Sequence, residues 1–256
     1  MGSLSIPMLI MLYFLVFIAG FIDSIAGGGG LIALPAYLIT GMPVHVAYGC
    51  NKFSSACGTT IATIRFLKNR SIDIYIAAVA AVSSFIGSAI ASQIVLILDE
   101  EILKKMLVFI IPVAAVIILF NRNYGSENTS KELGGIKRFI IAVLIGLLIG
   151  FYDGLIGPGT GTFAIIAFSV LMKYDLKTAS GNSKLLNLAS NYASLVTFVI
   201  AGTINYKIAI PAALCGILGN YLGAGFAIKK GAKFIRPTMV AVLVLLLVKM
   251  LSDVFV

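Results

Sequence analysis

The feature that most constrains this chain is an internal duplication. The sequence GFIDSIAGGGG, which begins at Gly20, returns as GFYDGLIGPGTG at Gly150. Further along, SIDIYIA from Ser71 matches TINYKIA from Thr203, so the spacing between the copies stays close to 130 residues. The chain therefore has to fold as two related repeats. We place them at 1–125 and 135–256, with the polar stretch 126–134 as the linker between them.

Composition places both repeats in a membrane. Hydrophobic residues make up 60% of the chain and charged residues 11%, whereas a soluble domain has about 25% charged residues. Because the apolar residues are spread over the whole length, we predict an all-α polytopic membrane protein rather than a soluble domain with one anchor. The net charge of +9 is then a topology signal carried by short loops, not a nucleic-acid-binding surface.

Each repeat contains five apolar segments. The segments cover 6–25, 29–40, 45–66, 74–98 and 103–121 in the first repeat, and 138–156, 161–172, 178–201, 206–228 and 235–255 in the second. A membrane-spanning helix needs about 20 residues, so the second segment of each repeat is too short to cross comfortably. We predict about eight to ten membrane segments in all, in which the short ones are half-helices or re-entrant.

The positions of the basic residues predict that the two repeats are inverted. If each repeat crosses the membrane an odd number of times, thirteen lysines and arginines fall on one face and four on the other. An even number of crossings spreads them almost equally. The positive-inside rule favours the odd number, with both termini outside the cytoplasm. Inverted repeats with interrupted short segments are typical of secondary transporters, whose substrate site lies where the interrupted elements meet.

The glycine-rich loops are the first candidate for such a site. Each loop immediately precedes a short helical segment, and a helix N-terminus with free N–H groups attracts anions. The candidate substrate-binding residues in the loops are Gly27, Gly28, Gly29 and Gly30 in the first repeat and Gly157, Gly159, Thr160 and Gly161 in the second. The alternative is that these glycines only permit a tight turn and close packing.

Two lysines inside apolar segments are the second candidate. Lys52 and Lys184 occupy equivalent positions in the repeats, and they either snorkel towards a helix end or face a central cavity that attracts an anion. A polar stripe follows in the second repeat, formed by Ser183, Asn187, Ser190, Ser194 and Thr197 at helical spacing. We therefore expect the second repeat to line the site more heavily. The further candidate substrate-binding residues are Asn51, Ser55, Asn182 and Asn191.

Asp23 and Asp153 are equivalent acidic residues at membrane depth. Each is interpreted either as a proton or cation site, or as a structural group that caps a loop or pairs with a lysine. The three cysteines, at positions 50, 57 and 215, lie in apolar segments and are expected to be small buried residues without a disulfide. Because no catalytic or metal-binding motif occurs, we predict a protein that is not an enzyme and uses neither a cofactor nor a metal.

These motifs, together with YGCNKFSSACGTTIATIRF, SGNSKLLNLASNYASL and KKGAKFIRPTMV, resemble the sulfite exporter TauE/SafE family of bacterial and archaeal membrane proteins. The resemblance covers essentially the whole chain and is greatest to the branch of probable transporters of unknown substrate. It implies transport of sulfite, sulfonates or related sulfur-containing anions across the cytoplasmic membrane. It also implies coupling to an ion gradient, with a proton or a sodium ion as the partner.

Two departures from the family pattern bear on the substrate. Cys50 stands where Thr is expected, and Gly-Pro-Gly-Thr-Gly replaces a plain glycine run in the second repeat. The alternatives are an anion channel or a carrier of a different small organic anion. A homo-oligomer is left open.

Overall fold

The computed structural model describes residues 5–99, 101–102 and 125–255, without the side chains of residues 243 and 245–255. The helices in these ranges are α1 Ile6–Ala26, α2 Gly30–Ile39, α3 Val44–Lys68, α4 Ile74–Ile97, α5 Gly135–Leu155, α6 Thr160–Leu171, α7 Leu176–Ile200, α8 Tyr206–Lys230 and α9 Ala232–Phe255. A 3-10 helix, Ser130–Glu132, lies in the linker. The predicted all-α class is confirmed, whereas the predicted segment 103–121 lies outside the described residues.

Helix length and polarity separate three kinds of helix. Four helices among the described residues, α1, α4, α5 and α8, are long and apolar enough to cross a membrane. The helices α2 and α6 have only 10 and 12 residues. At 1.5 Å per residue they are about 15–18 Å long, roughly half the hydrocarbon core. The helices α3 and α7 have 25 residues each and carry the two buried lysines and four buried asparagines, at positions 51, 182, 187 and 191.

Glycines allow two pairs of helices to pack closely, and within each pair the helices run parallel. The backbone of Gly219 in α8 lies against Phe17 of α1, and Gly223 lies against Phe21, so these two helices run parallel. The equivalent pair, α5 and α4, is also parallel, through contacts of Gly146 with Ala80, Gly150 with Ser84 and Gly154 with Ser88. A Cβ atom added to Gly150 would lie 2.3 Å from the Ser84 carbonyl oxygen. Small residues are needed here because the backbones touch.

The inner helices α3 and α7 run in opposite directions. The Thr63 hydroxyl donates to the Lys184 carbonyl at 3.2 Å, and Thr59 lies 3.5 Å from the Asn191 amide nitrogen. Successive contacts between the two helices therefore run towards the C-terminus of α3 and towards the N-terminus of α7. Because α3 and α7 are equivalent helices of the two repeats, the repeats are inverted, as the basic residues predict.

One polar cluster outside the apolar helices joins three segments of the chain. The Asp73 carboxylate caps α4 by accepting from the Ile76 N–H at 3.4 Å, and it also accepts from Arg138 and from the Tyr174 hydroxyl. Burial and the Asp73 hydrogen bond raise the pKa of Tyr174 to about 12, so its hydroxyl stays a donor at neutral pH. Asp73 therefore connects the start of α4 to the start of α5 and to the turn before α7.

Replacing Asp73 by Ala is expected to destabilise the protein by about 2–4 kcal/mol, because it removes a helix cap and two further hydrogen bonds. The matched control is Asp175→Ala. Asp175 caps α7 by accepting from the Lys177 and Thr178 N–H groups, both at 3.0 Å, without an ion pair among the described residues. Thermal unfolding of both variants in detergent tests this. Because Asp175 also accepts from the Thr178 hydroxyl at 2.6 Å, equal losses would mean that the contacts to Arg138 and Tyr174 contribute no more than that one bond.

Candidate functional site

The two glycine-rich loops touch each other. The Thr162 N–H donates to the Gly27 carbonyl at 3.3 Å, and the Thr162 hydroxyl donates to the Ala26 carbonyl at 2.7 Å. Gly27 ends α1 in the left-handed conformation, with φ of 77°, which lets α2 begin three residues later. A Cβ atom on Gly27 would lie 2.1 Å from the Gly161 carbonyl carbon. The turn and the contact both require glycine, so these loops serve to pack the two repeats together.

Two ion pairs cross between the repeats in a reciprocal way. Lys52 of the first repeat lies 2.6 Å from the Asp153 carboxylate of the second, and Lys184 of the second lies 3.1 Å from the Asp23 carboxylate of the first. Each lysine also donates to the backbone carbonyl of its aspartate. These carbonyls lie in the last turns of α5 and α1, where a positive charge is favourable. Each lysine thus neutralises an acid and caps a helix of the other repeat.

Both lysines are buried deep inside the protein. The exposed fraction is 2% for Lys52 and 0% for Lys184, so neither side chain snorkels to a helix end. Of the interpretations given above for Asp23 and Asp153, the structure shows the one in which each aspartate pairs with a lysine. Pairing satisfies charges that would otherwise be very unfavourable in a buried position.

The hydrogen-bonding capacity of Lys52 is fully used. Its ammonium group has three hydrogens. Its acceptors are the Asp153 carbonyl at 2.8 Å, the Asp153 carboxylate at 2.6 Å and the Asn191 amide oxygen at 3.4 Å. The Asn191 contact is much the longest. A ligand that binds Lys52 would therefore replace Asn191 first.

A residue pair marks the pseudo-twofold axis between the repeats. Thr59 and Asn191 are equivalent at the repeat spacing, and they lie 3.5 Å apart. Equivalent residues can touch only near the axis that relates them. Both line a cavity of about 40 Å³, which therefore lies at this axis. A water molecule needs about 10–15 Å³ by this measure, so the cavity holds only a few waters or a similarly small ion.

Most of the predicted site residues line this cavity. They are Asp23, Gly27, Gly29, Gly30, Asn51, Lys52, Ser55, Asp153, Gly157, Thr160, Asn187 and Asn191. Gly28, Gly159, Gly161, Asn182, Ser183 and Lys184 are not part of the lining. Gly28 is packed against Val242, and Asn182 accepts from the Asp73 N–H at 2.9 Å. The two lysines are thus unequal, because Lys52 lines the cavity and Lys184 lies behind Asp23.

The polar stripe on α7 serves mainly to pack against α4. The Ser88 hydroxyl donates to the Ser190 carbonyl and lies 2.8 Å from the Ser194 hydroxyl, and Ser92 contacts Thr197 at 3.4 Å. Of the stripe, only Asn187 lines the cavity. The expectation that the second repeat lines the site more heavily is therefore wrong. Hydroxyl groups at helical spacing satisfy a neighbouring helix as readily as they line a cavity.

The first repeat and α8 supply the cavity residues that sequence reasoning missed. These are Val16, Ala19, Gly20, Ala33, Ser54, Thr59, Gly216 and Asn220. Asn220 is the most informative, because a buried asparagine in an apolar membrane helix needs a polar partner. An asparagine within an apolar segment was therefore the sequence signal that could have identified this cavity residue. Its equivalent in the other repeat is Ser88, at a spacing of 132 residues.

The lining of the cavity is not symmetric about the pseudo-twofold axis. Gly216 and Asn220 of α8 line it, whereas their equivalents Ser84 and Ser88 of α4 donate to the Leu186 and Ser190 carbonyls at 3.2 and 2.8 Å. The equivalent surface in the other repeat is therefore a packed, hydrogen-bonded interface.

Two inverted sets of membrane helices that enclose a polar, charged cavity at their shared axis define a multi-pass membrane transporter. The chain belongs to the sulfite exporter TauE/SafE family, whose sequence profile matches residues 12–250.

Full-length relatives carry names of the same kind. The chain is 36% identical over 251 residues to the "Probable membrane transporter protein" of Haemophilus influenzae, covering 98% of this chain and 97% of that protein. It is 32% identical over 248 residues to the "Probable membrane transporter protein YfcA" of Escherichia coli K12, with coverage of 96% and 91%. An archaeal relative, the "Probable membrane transporter protein MJ0441" of Methanocaldococcus jannaschii, is 27% identical over 221 residues, with coverage of 82% and 80%. No solved structure matches the chain.

Proposed function

We propose that this protein is a secondary transporter that moves a small sulfur-containing anion, such as sulfite or a sulfonate, across the cytoplasmic membrane by alternating access. The observation that carries the proposal is the cavity, which is lined at once by both glycine loops, by Lys52 and by amide and hydroxyl side chains. The family description supports sulfite as the first anion to test.

The cavity wall offers hydrogen-bond donors suited to an oxyanion. The Gly30 N–H group begins α2 and has no acceptor among the described residues, so it is free to bind an anion at a helix N-terminus. Asn51, Ser55 and Asn187 add amide and hydroxyl groups to the same lining. Lys52 supplies the positive charge once its long contact to Asn191 is replaced. The cavity has room for a few waters, and an anion of sulfite's size would have to displace them.

The unequal repeats support alternating access. In the proposed cycle, the α8 side of the cavity closes as the equivalent α4 side opens, which exchanges the roles of Asn220 and Ser88. Inverted repeats make the two end states nearly equal in structure. The excess of basic residues on one face puts both termini outside the cytoplasm in this proposal.

The direct test is flux into proteoliposomes made with the purified protein. Labelled sulfite and a labelled alkyl sulfonate are offered with and without an imposed ion gradient. A secondary transporter accumulates its substrate above the outside concentration, whereas an anion channel only equilibrates it. If neither sulfur anion moves, the proposed substrate is wrong, and other small organic anions are then tested in the same vesicles.

Replacing Gly30 by Ala is expected to lower the apparent affinity for the anion about tenfold, because overpacking costs about 1–3 kcal/mol. The new methyl group would occupy the cavity wall, 3.2 Å from the Pro158 Cα atom. Gly135→Ala is the matched control, because a Cβ atom there meets nothing within 4 Å. Concentration dependence of sulfite uptake measures the effect. An unchanged apparent KM in Gly30→Ala would remove this glycine from the binding site.

A further inference from the structure

The charges around the cavity are already balanced without a substrate. Lys52 and Lys184 are paired with Asp153 and Asp23 at 2.6 and 3.1 Å. An anion bound beside Lys52 therefore adds one negative charge to a neutral, buried cluster. An uncompensated buried charge is strongly unfavourable. If the cavity binds an anion, as proposed above, a cation has to accompany it.

Asn220 provides an oxygen atom that lacks a partner at the cavity wall. The residue is 4% exposed and lines the cavity. Its amide nitrogen donates to the Gly216 carbonyl at 3.0 Å, which identifies the other arm of the amide as the oxygen. That oxygen is buried and has no hydrogen-bond donor among the described residues. A buried acceptor without a partner indicates a ligand that carries positive charge or hydrogen.

Other residues that carry oxygen atoms line the same cavity as Asn220. Its amide lies against Gly20 of α1 and Gly58 of α3, where added Cβ atoms would be 2.7 and 2.3 Å from the amide nitrogen. Asp23 follows Gly20 by three residues on α1, so it lies on the same helix face, and it lines the same cavity. The Asp23 carboxylate accepts from Lys184 and from the Gly29 N–H at 3.3 Å, and its side chain is 17% exposed. Thr59, next to Gly58, adds a hydroxyl.

We propose that this part of the cavity wall binds a sodium ion that travels with the anion, with the Asn220 amide oxygen and the Asp23 carboxylate as its protein ligands. The proposal rests on the anion-binding function proposed above. Hard cations prefer carboxylate and carbonyl oxygens. A proton on Asp23 would balance the charge equally well, but it would leave the Asn220 oxygen without a partner. The unpartnered amide oxygen therefore favours sodium over a proton.

Sodium binding can be tested with chloride as the anion that balances its charge, before the transported anion is known. Thermal unfolding of the purified protein is compared in NaCl, KCl and choline chloride at equal ionic strength. Sodium alone is expected to raise the apparent Tm by about 2–4 °C. Asn220→Leu is expected to lose this shift, and Asn220→Asp, which keeps an oxygen, to retain it. Thr238→Ala removes a hydroxyl that donates to the Phe234 carbonyl outside the cavity lining, and it is expected to retain the shift as well.

Transport measurements then distinguish a failure of the proposed sodium site from a failure of the proposed sulfite transport. Sulfite accumulation is expected to fall about tenfold or more when external sodium is replaced by potassium, and in Asn220→Leu at any sodium concentration. Accumulation that is equal in both salts, or driven by a pH gradient without sodium, overturns the sodium site and leaves the sulfite transporter intact. A sodium-specific Tm shift lost in Asn220→Leu, without any sulfite flux, supports the sodium site and overturns the substrate. Should Asn220→Leu fail to fold, Asn220→Ser is used in its place.

Discussion

Removing Lys52 alone is expected to abolish transport and to reduce the yield of folded protein, whereas the double variant Lys52→Ala/Asp153→Asn is expected to fold without transporting. The Lys52 and Asp153 side chains are only 3% and 5% exposed and their charged atoms are 2.6 Å apart. Breaking a buried ion pair by deleting one partner costs about 3–5 kcal/mol, because the other charge stays buried and unpaired. Neutralising both partners removes that penalty. It also removes the positive charge that is proposed to bind the anion.

Yield by size-exclusion chromatography and sulfite flux measure these two effects separately. We expect the double variant to recover near-normal yield and to transport at least about a hundredfold more slowly than the wild type. Lys173→Ala is the matched control, since its pair with Glu132 is half exposed and screened by solvent. Wild-type flux in the double variant would show that Lys52 only balances Asp153 and takes no part in anion binding.

Gly27→Ala is expected to prevent the two glycine loops from meeting and to destabilise the protein by more than about 4 kcal/mol. Two physical effects add at this position. The residue has φ of 77°, which is strained for alanine, and the new Cβ atom would lie 2.1 Å from the Gly161 carbonyl carbon. That neighbour is backbone, so it cannot rotate away. The two repeats would have to separate at the point where they meet.

Gly41→Ala measures the strain of a left-handed backbone without the steric overlap. Gly41 has nearly the same φ, 75°, but a Cβ atom there meets nothing within 4 Å. Its expected cost is about 1–2 kcal/mol, the ordinary penalty of a left-handed residue. Thermal unfolding of both variants in the same detergent gives the comparison. Similar losses of stability in the two variants would contradict the close approach of the loops.

The helices and their inversion could be read from the sequence because the signals are local or additive. The predicted segment 74–98 is the helix Ile74–Ile97, and the segment 206–228 is Tyr206–Lys230. Hydropathy and helix-ending residues act within a few positions of the chain. Inversion followed from the sum of basic residues on each face, which needs no knowledge of contacts.

The partners of the charged residues could not be read in the same way. Lys52 and Lys184 look equivalent in the sequence, and both were expected to face the cavity or to snorkel. Each instead reaches the aspartate of the other repeat, more than one hundred residues away in the chain. The side chain of Lys52 lines the cavity, whereas that of Lys184 lies behind Asp23. Such a difference depends on how the helices of the two repeats pack against each other, which no local pattern records.

By itself, the sequence determined that this protein is an all-α membrane protein of two inverted repeats, each with a glycine loop, an aspartate and a lysine in equivalent places. Only the tertiary structure decided how much of the cavity lining each repeat supplies, and it assigned the polar stripe of α7 to packing and Asn220 to the cavity wall. The physical reason is that duplication makes the two repeats chemically alike, while packing breaks their equivalence. One set of helices is held closed by serine hydroxyls, and the equivalent set leaves a space at the axis.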